Sequence, residues 1–176
     1  GELFAAKRYL VTYFPGSVKG LRVGSDVLFR GVRVGYVTGI EVVTDPDVER
    51  FNIPVTFQIL PDSFTVQSGD GEMRRLSATE SRKNIDDLIK KGLRTKLETE
   101  SFVTGQLIIQ LDFYPDHDPT FHGGQTSYQE IPSVPSDIQQ YMQQLQKLAA
   151  EINRKVDAEQ LISDVQGILS GLNKLA

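Results

Sequence analysis

The residues with the clearest capacity for chemistry lie in one short segment, Asp116–His122, which holds both histidines of the chain and two aspartates. Imidazole and carboxylate groups are common metal ligands, so an enzyme that binds a metal through His117 and His122 is one hypothesis. The segment favours a turn instead, because Pro115 and Pro119 interrupt it and its ligands lack helix or strand spacing. No nucleophile or acid pair accompanies either histidine. We therefore predict no catalytic residue, no metal site and no cofactor.

Composition excludes several other classes of protein. The chain has 176 residues, 39% of them apolar, and a net charge of −4, which fits one domain plus an appendage and argues against a nucleic-acid binder. It has no cysteine, which excludes a disulfide scaffold and a thiol nucleophile. No apolar run approaches the ~18 residues of a membrane span. No signal peptide is visible and residue 1 is glycine, so we expect an excised fragment.

Alternating apolar residues and interspersed glycines predict a small β-barrel. Strands are expected over residues 7–14, 27–29, 31–43, 51–60, 93–97 and 107–114. Gly35 and Gly39 fall inside one of them, and isolated glycines in strands mark the bulges or bends that a barrel needs. Pro54 lacks an N–H group, so its strand is expected at an edge or with a bulge. Residues 61–83 are expected to form an exposed insertion, followed by a short helix over residues 84–91.

A loop with an apolar tip precedes the last of these strands. Phe102 and Val103 are large and apolar, yet they stand directly before Thr104 and Gly105, where the chain should turn outward. The sequence leaves two arrangements open. The tip folds back onto the core of its own domain, which the sequence alone favours, or several copies point their tips at one another around an axis.

The C-terminal part of the chain changes from strand patterns to helix patterns. Pro132 and Pro135 are expected to form a hinge, because proline neither continues a strand ladder nor fits inside a helix. Asp157 interrupts the helical register, which leaves one helix or two open. A lone amphipathic helix is poorly stable in water, so we expect copies of the chain to associate along its apolar stripe. The apolar seam consists of Ile138, Met142, Leu145, Ala149, Ile152 and Val156, and a second stripe includes Leu161, Val165, Ile168 and Leu172.

Two long motifs resemble those of one protein family. Residues Ser101–Leu107 (SFVTGQL), with Leu111–Pro115 (LDFYP), are similar to the pore-loop region of MCE (mammalian cell entry) domains. Residues Gly16–Ile40 resemble the opening motif of that family, S-V-x-G-L-x-x-G-x-x-V-x-F-x-G-V-x-V-G-x-V. Both motifs resemble in particular the paraquat-inducible B members of Gram-negative bacteria.

This resemblance implies a mainly β fold in three parts. It places a small MCE-type β-barrel, with one short helix and an inserted loop, over residues 1–131. A proline hinge follows over residues 132–135. Residues 136–176 are then the start of a coiled-coil-like α-helical needle.

The same resemblance implies transport without catalysis. MCE domains assemble as hexameric rings, so Phe102, Val103 and Thr104 would line a central pore that a helical tube continues from Ser136. The implied task is phospholipid trafficking between the inner and outer membranes. The full-length protein would lie in the periplasm, anchored to the inner membrane, with partner proteins in both membranes and no nucleic acid. Many relatives carry Leu-Leu at the tip. Phe102 and Val103 replace this pair here and would keep the wall of the pore apolar. A structural scaffold that only oligomerises, with no lumen in use, is the alternative.

Overall fold

The computed structural model describes residues 8–67, 69–71, 73–74, 78–123, 127–154 and 158–174. The chain divides into two compact units, Gly1–Ser136 and Asp137–Ala176. Within the described residues the first unit is mainly β with one helix, and the second contains two helices. None of the helices in these ranges is both long and apolar enough to cross a membrane.

One curled sheet dominates the first unit. Its seven described strands follow the order β11-β1-β6-β3-β2-β10-β9, and two small hairpins, β4–β5 and β7–β8, stand beside it. Neighbouring strands are antiparallel, except that β1 runs parallel to β11 and β2 runs parallel to β10. The elements of the described chain are β1 (Arg8–Tyr13), β2 (Asp26–Phe29), β3 (Val32–Ile40), β4 (Val43–Asp45), β5 (Arg50–Asn52), β6 (Pro54–Ile59), β7 (Val66–Gln67), β8 (Met73–Arg74), α1 (Ala78–Lys90), β9 (Leu93–Ser101), β10 (Gln106–Phe113), β11 (Gln129–Glu130), α2 (Asp137–Arg154) and α3 (Ala158–Asn173).

The core of the first unit is formed by the apolar face of this sheet. Strands with alternating apolar residues turn that face inward, because burying it removes the largest apolar area from water. Helix α1 adds Ile85 and Ile89 to the same cluster. The apolar side chains with no exposed surface are Val27, Val37, Val55, Phe57 and Ile109.

The segment Ile131–Val134 connects β1, near one edge of the sheet, to β9 at the other edge. On one side the Ile131 N–H donates to the Val11 carbonyl of β1 at 2.9 Å. On the other side Thr95 of β9 donates to the Pro132 carbonyl at 3.0 Å and accepts from the Val134 N–H at 2.8 Å. These bonds close the sheet in the way that a barrel requires.

Pro132 therefore lies inside the first unit rather than in a hinge, and Pro135 is half-buried. Ile131 and Val134 are 1% and 2% exposed, and Pro132 is less than 2% exposed. The first unit ends at Ser136 rather than at Ile131. The expectation overlooked that a proline carbonyl still accepts a backbone hydrogen bond, although proline has no N–H group to donate.

Several local expectations also differ from the structure. Pro54 starts β6, a central strand, and a strand tolerates proline at its first residue, so the edge alternative was wrong. The other alternative, a bulge, has a counterpart in the register shift between β3 and β6. Helix α1 begins at Ala78, well before Asn84, and the β7–β8 hairpin occupies part of the expected insertion. The expected bulge at Gly39 is confirmed, because the register between β3 and β6 shifts between Val37 and Gly39.

Candidate functional site

The apolar tip between β9 and β10 extends into solvent. The last paired residues are Ser101 and Gln106, and residues 102–105 form the turn between them. Phe102 is 90% exposed and Val103 is 97% exposed. The arrangement that the sequence alone favoured, with the tip folded onto the core of its own domain, was wrong.

Local hydrogen bonds define the shape of this tip. The Gly105 N–H donates to the Ser101 carbonyl at 2.9 Å, and the Thr104 N–H donates to the Ser101 hydroxyl at 3.3 Å. The Thr104 hydroxyl in turn accepts from the Gln106 N–H at 3.3 Å. Gly105 has a φ of +71°, a conformation that glycine adopts without the steric cost of a Cβ atom. The exposed side chains are thus presented by a hydrogen-bonded turn.

Gly20 supports the base of the tip from a distant part of the chain. Its carbonyl accepts from the Leu107 N–H at 3.0 Å. A Cβ atom on Gly20 would stand 2.2 Å from the Gly105 carbonyl oxygen, and Gly20 itself has a φ of +100°. Only a glycine lets the two backbone segments approach this closely.

Strand directions place other features at the tip end, by which we mean the end of the sheet that carries residues 102–105. Strands β1, β3 and β9 all run toward that end. The β4–β5 hairpin and the turn that contains Lys19–Val23 therefore lie there too. The segment Ile131–Val134 runs in the same direction as β1 and β9, and Ser133 lies beside Thr95, near the start of β9.

The second unit exposes most of its predicted apolar residues. Helix α2 has no buried side chain, although Ile152 is partly covered. Two predicted positions, Val156 and the side chain of Leu161, lie outside the described residues. The exposed members of the two stripes are Ile138, Met142, Leu145 and Ala149 in α2 and Val165, Ile168 and Leu172 in α3.

The two histidines have separate partners. The His122 ring lies 3.2 Å from a Glu130 carboxylate oxygen and stacks on Tyr13 with 4.4 Å between ring centroids. His117 contacts the ring of Tyr114 edge-on. Among the residues that the structure describes, no three His, Asp or Glu side chains form a cluster that could hold a metal ion.

Two buried ionisable groups have shifted pKa values. Burial, with a smaller contribution from the Glu130 carboxylate, raises the pKa of the Tyr13 phenol. Burial lowers the pKa of the Arg94 guanidinium, an effect that Asp118 opposes. Sequence patterns did not single out Arg94.

Arg94 connects the end of α1 to the loop after β10. Its Nη1 donates to the Ile89 and Leu93 carbonyls, and its Nη2 donates to the His117 carbonyl, each at 2.8 Å. A cation at this position also complements the negative end of the helix dipole. Arg94 therefore has a structural role at the end of the sheet opposite the tip.

This fold and its exposed tip define a mainly β domain followed by amphipathic helices. Residues 6–114 match the family model described as "MlaD protein", which covers more than half of the chain. The chain therefore belongs to the MlaD family of MCE proteins. A solved structure described as "Acinetobacter MlaFEDB complex in ATP-bound Vtrans1 conformation" contains a similar chain, with 16% sequence identity and a TM-score of 0.43. The match covers 79% of this chain and 81% of that one.

Proposed function

We propose that this chain is a non-enzymatic subunit of a hexameric tunnel that carries phospholipids between the inner and outer membranes of a Gram-negative envelope. The tips of the copies meet around an axis, and residues 136–176 continue the passage as a coiled-coil-like helical tube, as in a paraquat-inducible B needle. The full-length protein lies in the periplasm, anchored to the inner membrane, and works with partner proteins in both membranes.

The observation that carries this proposal is the exposure of Phe102 and Val103 on a hydrogen-bonded turn. Burying a side chain of this kind stabilises a protein by about 1.5–3 kcal/mol, so an exposed pair on a structured turn favours a shared, covered arrangement. Copies arranged around an axis would convert the pair into an apolar ring. An acyl chain passing through such a ring stays out of water, which is worth ~0.8 kcal/mol for each CH₂ group.

The apolar stripes of α2 and α3 support the same arrangement. Both helices expose apolar residues that a helix in water normally packs against a partner. Helices from neighbouring copies would associate along these stripes. Such an arrangement lengthens the apolar passage without any additional domain.

A photoreactive residue at position 102 of the assembled full-length protein tests the proposal. We expect it to crosslink phospholipid in membranes. Phe121 provides a matched control, because it is an exposed phenylalanine on the loops at the other end of the sheet, and a photoreactive residue there should capture no lipid. Equal labelling at both positions, or no lipid at position 102, would contradict a lipid-filled lumen.

Substitution of the tip gives a second, functional test. Phe102→Asp places a ring of charges in the proposed passage, and we expect it to abolish lipid transfer without changing the mass of the assembly. Phe121→Asp should leave transfer unchanged. Normal transfer by the Phe102→Asp variant would refute the role of the tip.

A structural scaffold without a used lumen is the second candidate, because the exposed helix stripes alone require only oligomerisation. It predicts an assembly of the same mass that captures no lipid at position 102. An enzyme that uses His117 and His122 is the third hypothesis. Their separate partners favour structural roles, and full envelope-barrier function after both are replaced by alanine would exclude this hypothesis.

A further inference from the structure

The β4–β5 hairpin is an apolar surface that the transport proposal does not use. Val42 is 70% exposed, Val48 58% and Phe51 70%. Within the described chain β4 and β5 pair only with each other, beyond the point where β3 and β6 end. An isolated two-stranded hairpin is only marginally stable in water, so this hairpin is expected to gain stability from a partner that covers it.

The charge of the hairpin indicates the chemistry of that partner. Residues 41–50 hold Glu41, Asp45, Asp47 and Glu49 against Arg50, which is four negative charges and one positive charge, or a net charge of −3. No ion pair in the described part of the chain neutralises these carboxylates. A suitable partner therefore presents positive charges beside a small apolar surface.

The turn Lys19–Val23 of the same chain has these properties. Lys19 and Arg22 are exposed, and no described ion pair involves them, while Val23 is 66% exposed beside them. Two other exposed cations of the sheet are already paired within the chain: Arg30 with Asp112 at 3.1 Å, and Arg33 with Asp26 at 2.7 Å.

The topology brings these two surfaces to the same level. Both lie at the tip end of the sheet. A rotation about an axis parallel to the strands does not change the position of a surface along that axis. In a ring of this kind the hairpin of one copy can reach the turn of the next copy. It cannot reach Lys90, the last residue of α1, or Lys91 after it, because both lie at the opposite end of the sheet.

We propose that the β4–β5 hairpin of one copy docks on the Lys19–Val23 turn of the neighbouring copy. The contact is heterologous, because two different surfaces meet, and repeated contacts of this type close a ring. Carboxylates around Phe51 would face Lys19 and Arg22, and the apolar side chains would cover one another. The inference rests on the ring of the proposed function and adds the surface that joins its subunits.

Disulfide crosslinking tests the contact, because this chain has no cysteine of its own. Full-length protein with Asp47→Cys and Arg22→Cys should form a ladder of covalent oligomers on oxidation. Asp47→Cys with Lys91→Cys is the matched control and should remain monomeric on a denaturing gel. Two results would overturn the contact without affecting the tunnel proposal. One is a disulfide between positions 22 and 47 of the same chain, and the other is the absence of a ladder although the protein keeps its oligomeric mass. A monomeric parent protein would instead overturn the tunnel itself.

Charge reversal gives an independent measurement. Asp47→Lys with Glu49→Lys, or Lys19→Glu with Arg22→Glu, should each weaken subunit association at least about tenfold, because like charges then face each other. All four substitutions together should restore association to within about threefold of the unmodified protein. If the protein with all four substitutions associates as weakly as the summed effects of the two double variants predict, the pairing is refuted.

Discussion

Replacing Gly20 with alanine is expected to displace the tip without changing a residue of the tip itself. Gly24 offers a control with nearly the same φ, which is +100° at Gly20 and +92° at Gly24. An added Cβ at Gly24 meets nothing within 4 Å, whereas at Gly20 it lies 2.2 Å from the Gly105 carbonyl oxygen. The two substitutions therefore share the backbone strain and differ in the steric overlap.

The magnitudes follow from this geometry. A side chain in the left-handed region costs about 1–2 kcal/mol at either position. Carbon and oxygen atoms make contact at about 3.3 Å, so Gly105 must move by about 1 Å in the Gly20 variant. That movement breaks the bond between the Leu107 N–H and the Gly20 carbonyl, and overpacking plus the lost bond cost about 1–3 kcal/mol. We expect Gly20→Ala to lower the free energy of unfolding by about 2–5 kcal/mol and Gly24→Ala by about 1–2 kcal/mol.

Urea denaturation measures the two free energies of unfolding, and amide hydrogen exchange reports on the tip. The amides of Leu107 and Gly105 should exchange faster in the Gly20→Ala variant than in the Gly24→Ala variant. Lipid crosslinking from position 102 should fall only in the former. Equal destabilisation of the two variants, with unchanged exchange at Leu107, would refute the role assigned to Gly20.

Two further predictions concern buried polar groups of the first unit. Because folding raises the pKa of the Tyr13 phenol, its contribution to stability is complete below pH 10 and is lost as the pH rises through the folded-state pKa. In a pH series of denaturation curves, the free energy of unfolding of Tyr13→Phe should therefore fall less steeply above pH 10 than that of the unmodified protein. The Thr12 hydroxyl lies 2.5 Å from the Thr95 hydroxyl and donates to the Ile131 carbonyl, so Thr12→Val should cost about 1–3 kcal/mol. Adding Thr95→Val should cost less than the sum of the single changes, and strict additivity in the double-mutant cycle would contradict the bond.

Local patterns correctly predicted much of the secondary structure. Glycine inside β3 predicted irregular strand geometry, and the structure shows why at two positions. The Gln58 carbonyl oxygen lies 2.0 Å from where a Cβ on Gly35 would stand, and the register shifts beside Gly39. The helical stripes of the C-terminal part were also visible in the sequence, because a repeat of three and four residues needs no information from elsewhere in the chain.

Predictions that depended on strand order were less successful. Pro54 favoured an edge strand or a bulge, and β6 is central, because proline at the first residue of a strand need not donate to the ladder. Pro132 indicated a hinge, yet its carbonyl accepts from Thr95 and the segment closes the sheet. No local pattern revealed either outcome, since both depend on residues far away in the chain.

The sequence by itself determined the strand and helix faces, the glycine positions and an apolar pair at a turn, because each depends on side chains a few residues apart. Only the tertiary structure decided that Phe102 and Val103 are exposed, and that the tip and the acidic hairpin share one end of the sheet. These features arise from pairings such as Thr12 with Thr95, which are 83 residues apart. Packing across such separations selects among arrangements that local patterns allow equally.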